Sequence, residues 1–226
     1  MKSRLKTLIV TSFAGCALMG ATVAGFAQST VSVNPANGWI GYMNWFDLNM
    51  NYVSGGAWGT ADLPTGFSGG VLTLGPNVNV YNPGDAYWVN GDGSGAKIMD
   101  ASFYVEDASL AGSPLTFSGN VLANTLVSPY NSVAFIKEFT TSYALVQSKT
   151  APLVGGQPFS VNLTSAPGNI IQYGFETMGP DANPATVAGL GNVQVQAVPE
   201  PSSLALLVVG LGIPFCIYRK QKNAVI

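Results

Sequence analysis

Short stretches in which apolar and polar residues alternate fill the chain between residues 28 and 197, and this period of two predicts β-strands. In one of them, Phe159, Val161 and Leu163 alternate with polar neighbours. The same alternation marks residues 102–106, 115–118, 171–176 and 193–196. Further apolar runs cover residues 39–46, 71–74, 86–89, 121–127, 133–139 and 144–147. No long stretch shows helical periodicity, so the pattern predicts about ten or eleven strands.

Segments rich in glycine, proline and asparagine separate the predicted strands and predict turns. They lie at residues 54–56, 68–70, 82–84, 91–93, 155–156 and 167–169. Many short strands at regular spacing favour one all-β domain, an antiparallel β-sandwich of the jelly-roll type. We expect residues 179–192 to form a long loop before the last strand. Residues 170–178 and 191–195 resemble the end of galactose-binding-like and carbohydrate-module jelly rolls.

The first 27 residues contain the three parts of a secretory signal peptide. Three cations lie within the first six residues, a mostly apolar stretch follows, and Gly25 and Ala27 supply the small residues that signal peptidase reads. We therefore expect export by the Sec machinery and cleavage after Ala27. Two alternatives remain, an uncleaved N-terminal anchor and a lipoprotein that would carry its lipid on Cys16.

The C-terminal end combines three features in a fixed order. Pro199, Glu200 and Pro201 come first, and an uncharged run of 15 residues, 204–218, follows. As a helix this run would span about 22 Å, short of a hydrocarbon core of roughly 30 Å, so it would insert only marginally. Three cations come last: Arg219, Lys220 and Lys222. By the positive-inside rule these cations stay in the cytoplasm, which places the body outside it.

This end, residues 198–222, resembles the PEP-CTERM sorting signal, in which a Pro-Glu-Pro motif precedes a short transmembrane helix and a basic tail. The resemblance implies an exosortase that cuts near residues 199–201. It implies that the inner membrane holds the protein until then, with residues 223–226 as a cytoplasmic tail. It also implies a final place in the envelope or outside a Gram-negative cell that makes extracellular polysaccharide. It implies no biochemical activity.

Charged residues are scarce and unevenly distributed. They make up 9% of the chain, against roughly 25% in soluble domains. Residues 28–197 hold three lysines and ten carboxylates, a net charge of −7, so nucleic-acid binding is not expected. Histidine is absent, and the two cysteines, Cys16 and Cys216, lie in the terminal apolar segments. These absences exclude Ser-His-Asp catalysis, Cys-His catalysis and histidine-ligated zinc in the body.

The tryptophans are the first candidates for ligand binding. All of them lie in the first half of the body: Trp39, Trp45, Trp58 and Trp88. Sugar rings pack on exposed aromatic faces, and the asparagine and aspartate side chains that are frequent here bind hydroxyl groups. Exposed tryptophans would make the body a carbohydrate-binding module for exopolysaccharide. Buried tryptophans would belong to the core instead.

Two further hypotheses involve carboxylates. Asp85 and Asp92 lie in or near a glycine-rich, oxygen-rich loop that suits calcium, although a plain hairpin turn explains the same residues. A glycosidase would need two carboxylates roughly 5 to 10 Å apart across a cleft. The pairs Glu106/Glu138 and Glu138/Glu176 stay open for that role. We predict a non-catalytic exported surface or matrix protein, with a carbohydrate-binding module as the first alternative and a glycan-active enzyme as the second.

Overall fold

The computed structural model describes residues 28–198, which form an all-β sandwich of two six-stranded sheets. In chain order the strands are β1 (Ser29–Ser32), β2 (Ile40–Phe46), β3 (Tyr52–Trp58), β4 (Thr65–Ser68), β5 (Val71–Leu74), β6 (Ile98–Glu106), β7 (Pro114–Asn124), β8 (Asn131–Phe139), β9 (Leu145–Pro152), β10 (Pro158–Thr164), β11 (Ile170–Pro180) and β12 (Val193–Gln196). Short 3₁₀ turns cover Thr60–Asp62, Ala108–Leu110 and Val187–Leu190. Within the described range, no helix has the length and apolar character needed to cross a membrane.

The two sheets differ in their pairing. Sheet A contains β1, β4, β5, β7, β10 and β12, and β7 pairs with three strands, in parallel with β1 and antiparallel with β10 and β12. Sheet B has the order β3-β2-β6-β11-β8-β9, and all its pairs are antiparallel. The predicted signal peptide and the sorting motif from residue 199 onward lie outside the described residues.

The core lies between the sheets and consists mainly of aromatic and branched aliphatic side chains. Phe117 of β7 is fully buried, and its ring centroid lies 5.2 Å from that of Phe159 and 5.3 Å from that of Phe175. These residues come from both sheets, so their contacts join one sheet to the other. Burying one such side chain stabilises the folded state by about 1.5–3 kcal/mol relative to leaving it exposed.

Most of the predicted strands are confirmed, and three details of the prediction are wrong. Residues 54–56 form the middle of β3 and not a turn, and Gly55 leaves room there for Asn44, whose Oδ1 would lie 2.5 Å from a Cβ at position 55. Residues 86–89 form a turn, in which the N–H groups of Trp88 and Val89 donate to the carbonyl of Asp85. Residues 115–118 and most of 121–127 belong to one strand, β7, and the total is twelve strands.

The central strands of sheet B are buried on both faces, which simple alternation did not predict. Phe103 of β6 points into the core as expected. On the other face, Ser102 and Tyr104 of β6 are only 5% and 8% exposed, and Gln172 of β11 is 8% exposed. No third sheet covers this face within the described chain, so side chains of the sheet itself and of the β8–β9 turn flank its recessed centre.

Candidate functional site

A groove with a volume of about 430 Å³ lies in this recessed outer face of sheet B. Strands β2, β6, β11, β8 and β9 and the β8–β9 turn supply its lining: Tyr42, Asn44, Ser102, Tyr104, Lys137, Phe139, Tyr143, Leu145 and Gln172. The volume is within the range of roughly 300–1,000 Å³ that small-molecule sites have. The lining combines aromatic rings with amide, hydroxyl and ammonium groups.

The pairing register brings these side chains together. Tyr42 of β2 pairs with Ser102 of β6. Gln172 of β11 pairs with Glu106 on one side and with Lys137 on the other. Residues directly opposite each other on neighbouring strands point to the same face, so long-range pairing alone places these five side chains on one surface.

Gly174 forms the floor of the sheet next to the groove. It pairs with Tyr104 in β6 and with Phe135 in β8, whose rings lie 6.4 Å apart between centroids. A Cβ at position 174 would lie 2.6 Å from the Cα of Tyr104, so only glycine fits between the two aromatic residues. Burial, and next the charge of Glu106, raise the pKa of Tyr104 to about 12, so its hydroxyl keeps its proton at neutral pH.

Tyr143 in the β8–β9 turn forms one wall of the groove. Its side chain is 58% exposed, and its hydroxyl donates to Oε1 of Glu106 over 2.9 Å. The other oxygen of Glu106 accepts a bond of 2.8 Å from Nε2 of Gln172. Phe139 stands beside Tyr143, with 6.4 Å between the ring centroids. Two aromatic rings and a fixed hydrogen-bonded network therefore border the same space.

Charged groups lie together next to the groove. Nζ of Lys137 forms an ion pair with Oε1 of Glu176, which also accepts a long bond of 3.4 Å from Ser102. Lys137 also lies over the ring of Phe135, 4.5 Å from its centroid. Asp100 is 7% exposed, and its Oδ1 has no hydrogen-bond partner. Burial, together with the neighbouring charge of Glu176, raises the pKa of Asp100 to about 6.

The four tryptophans lie outside this groove. Each is half-buried and packs against the core. The Trp39 ring stacks on Phe103 at 4.7 Å with parallel planes, so that face of the indole is not open to a sugar. The Trp45 and Trp88 rings lie 5.8 Å apart between centroids, and Nε1 of Trp45 donates to the Tyr87 hydroxyl. The structure thus places none of the predicted stacking residues, Trp58 included, in the lining of the groove.

Asp85 and Asp92 each stabilise their own turn. Oδ1 of Asp85 accepts a bond of 2.9 Å from the N–H of Tyr87. Oδ1 of Asp92 accepts bonds from both the hydroxyl and the N–H of Ser94, and these bonds lower the pKa of Asp92. Residues 28–198 contain no group of three or more acidic side chains that could hold a metal ion. The turn closed by the Val89–Gly95 bridge accounts for the position of Asp92, and the turn at residues 85–89 accounts for that of Asp85, while calcium binding stays a prediction.

Neither of the two carboxylate pairs that stayed open for a glycosidase faces a common cleft, so both predictions are wrong. Glu138 pairs in register with Ile171, which points into the core, whereas Glu106 and Glu176 are on the outer face of sheet B. The sheet itself therefore separates Glu138 from both. Glu138 is 1% exposed and accepts hydrogen bonds from Gln147, Asn169 and the backbone of Ala166. Burial opposes its ionisation, but these bonds outweigh burial and lower the pKa of Glu138.

Most of the groove residues were not candidates at the level of sequence. The sequence does not indicate that four of them lie close together, because their proximity depends on the pairing of β6, β11 and β8. These four are Tyr104, Lys137, Tyr143 and Gln172. The usable signals were the polar side of the alternating segments 102–106 and 171–176 and the asparagines among the tryptophans, which include Asn44 of the lining. A scan of protein-family models finds no match to this chain, and a search of curated proteins finds none either.

Proposed function

We propose that the body is a non-catalytic carbohydrate-binding domain and that its ligand lies in the groove of sheet B. The observation that carries this proposal is the combination of aromatic rings and polar groups in one recess. A sugar ring offers apolar C–H faces and a rim of hydroxyl groups. The apolar faces can pack on the aromatic rings of Tyr42, Phe139 and Tyr143. The hydroxyl groups can form hydrogen bonds with the amides of Asn44 and Gln172.

We propose further that the sandwich is a jelly roll. The support is the path of the last eight strands, which run through the two sheets in the orders β5-β12-β7-β10 and β6-β11-β8-β9. From β5 to β8 the chain changes sheet at every step, and after β9 it does so again up to β12. Such a double winding of eight strands in two sheets is typical of jelly rolls.

We propose that the protein acts at the cell surface or in the surrounding matrix. The support is the order of segments in the sequence, a signal peptide at residues 1–27 and a PEP-CTERM-like end at residues 198–222. The partners would be the Sec machinery, signal peptidase and an exosortase, with the inner membrane as a transient anchor. A domain delivered in this way would meet extracellular polysaccharide, which agrees with a glycan-binding groove.

Binding of soluble polysaccharides to the full-length protein in detergent tests the proposal, with affinity gel electrophoresis as the measurement. We expect Tyr143→Ala to weaken binding by about tenfold, which corresponds to about 1.4 kcal/mol. Tyr87→Ala is the matched control, because Tyr87 is an exposed tyrosine that does not line the groove. Retardation by none of a broad set of polysaccharides, or equal losses in both variants, would contradict the proposal.

A further inference from the structure

The charges around the groove restrict the glycans that it can bind, and this inference rests on the function proposed above. Three carboxylates, those of Asp100, Glu106 and Glu176, are on the outer face of sheet B. Of the three lysines between residues 28 and 198, only Lys137 is on that face. The local charge is therefore negative, in the same sense as the net charge of −7 that three lysines and ten carboxylates give the body.

The single cation is already engaged. Nζ of Lys137 forms the ion pair with Glu176 and contacts the ring of Phe135. The Lys137 and Glu176 side chains are only 19% and 17% exposed, so the pair is largely removed from water. An acidic sugar would have to displace Glu176 from Lys137, and that would leave a partly buried carboxylate without its partner, which is costly.

Two hydrogen-bond donors of the groove are engaged by a carboxylate as well. The hydroxyl hydrogen of Tyr143 and one N–H of Gln172 are directed at the two oxygens of Glu106. The groups that remain free on these side chains include the lone pairs of the Tyr143 hydroxyl and the amide oxygen of Gln172, which are acceptors. Acceptors match the hydroxyl groups of a sugar, which donate. A glycan carboxylate brings only acceptors and would find no donor in these two engaged groups.

We infer that the groove selects polysaccharides that carry hydroxyl groups but no acidic groups. Uncharged sugars satisfy the free acceptors without disturbing the Lys137–Glu176 pair or the Glu106 network. Uronic acids and other anionic sugars meet repulsion from the three carboxylates, in a recess where water screens charge less than on an open surface. An exported domain of this kind would distinguish neutral from acidic matrix polysaccharides.

Matched polysaccharide pairs test this selectivity with the full-length protein in detergent. Each pair shares a backbone and differs in acidic groups: dextran and carboxymethyl dextran, hydroxyethyl cellulose and carboxymethyl cellulose, and methyl-esterified and de-esterified polygalacturonan. We expect the neutral member of every pair that binds to bind at least about tenfold more tightly at low salt. We also expect added salt to reduce the difference, because it screens the repulsion.

Two variants distinguish the effect of charge at the groove from the effect of the net charge of the protein. Glu106→Gln removes one negative charge at the groove while keeping the shape of the side chain, and Asp92→Asn removes one from an exposed loop outside it. We expect Glu106→Gln to reduce the preference for the neutral member several-fold and Asp92→Asn to leave it unchanged.

Each outcome has a definite meaning. Equal or tighter binding of the acidic members at low salt would overturn the selectivity and leave the proposed function standing. Equal effects of the two variants would assign the preference to net charge and would also overturn the inference. Binding of no member of any pair would overturn the proposed function, and the inference with it.

Discussion

The hydroxyl of Tyr143 donates a 2.9 Å hydrogen bond to Oε1 of Glu106 and so joins the β8–β9 turn to the central strand β6 across β11. Tyr143 has a φ of 60°, in the left-handed region that costs a non-glycine residue about 1–2 kcal/mol. A strained residue persists where its surroundings hold it, and such residues cluster at functional sites. The strained turn places an exposed aromatic ring at the edge of the groove.

Tyr143→Phe separates the contribution of the hydroxyl from that of the ring. The variant keeps the aromatic face but removes the donor to Glu106, so we expect a loss of glycan affinity of about 0.5–1 kcal/mol, less than in Tyr143→Ala. Affinity electrophoresis with a bound neutral polysaccharide measures both variants. A phenylalanine variant as weak as the alanine variant would show that the ring contributes nothing.

Gly174→Ala should destabilise the sandwich. The added methyl group would lie 2.6 Å from the Cα of Tyr104, which forces β6 and β11 apart. We expect a loss of about 1–3 kcal/mol in the free energy of unfolding, measured by urea denaturation. Gly56→Ala in β3 is the matched control, because a Cβ there has nothing within 4 Å and should change stability little. Equal stability of the two variants would refute the close contact.

Asp181→Asn should change how stability depends on pH. Asp181 is 1% exposed, neither carboxylate oxygen has a partner, and burial raises its pKa to about 7. Below about pH 4 this group is protonated in both the folded and the unfolded state. Between about pH 4 and pH 7 only the unfolded state ionises, so the stability due to this group falls as pH rises. Above about pH 7 the loss is complete.

Thermal unfolding at pH values from 4 to 8 measures this effect. We expect the melting temperature of Asp181→Asn to fall less steeply with pH than that of the wild type. Some slope should remain, because the raised pKa of Asp100 acts in the same direction. Asp92→Asn is the control and should not flatten the slope, since its hydrogen bonds with Ser94 lower its pKa. Parallel curves for Asp181→Asn and wild type would contradict the prediction.

Glu200→Ala tests the sorting proposal. If the Pro-Glu-Pro motif is read by an exosortase, the variant should accumulate in the membrane fraction at its unprocessed C-terminal length. Intact mass and fractionation of cells give both the cleavage state and the location. Asp92→Asn, which removes one carboxylate from the body, should mature normally. Normal maturation of Glu200→Ala would refute the assignment of residues 198–222 as a sorting signal.

The sequence by itself determined the class of the body and the core face of its clearest strands. A β-strand is the regular structure in which apolar residues at every second position all face one side. The alternation of Phe159, Val161 and Leu163 with polar residues is therefore enough to predict β10 and its inward face. The turn at residues 68–70 is confirmed for a similar local reason, since both of its glycines have positive φ. These features depend on neighbours along the chain.

Only the tertiary structure decided which residues line the groove. Tyr104 and Gln172 are polar-face residues of separate strands, and they meet because β6 pairs with β11. Trp39 was a candidate for sugar stacking, but Phe103 covers one face of its ring. Glu138 and Glu176 were a candidate pair, but they lie on opposite faces of sheet B. Alternation predicts the two faces of a strand. It does not predict which strand lies beside it or how deeply a face is recessed. Both depend on contacts between residues far apart in the sequence.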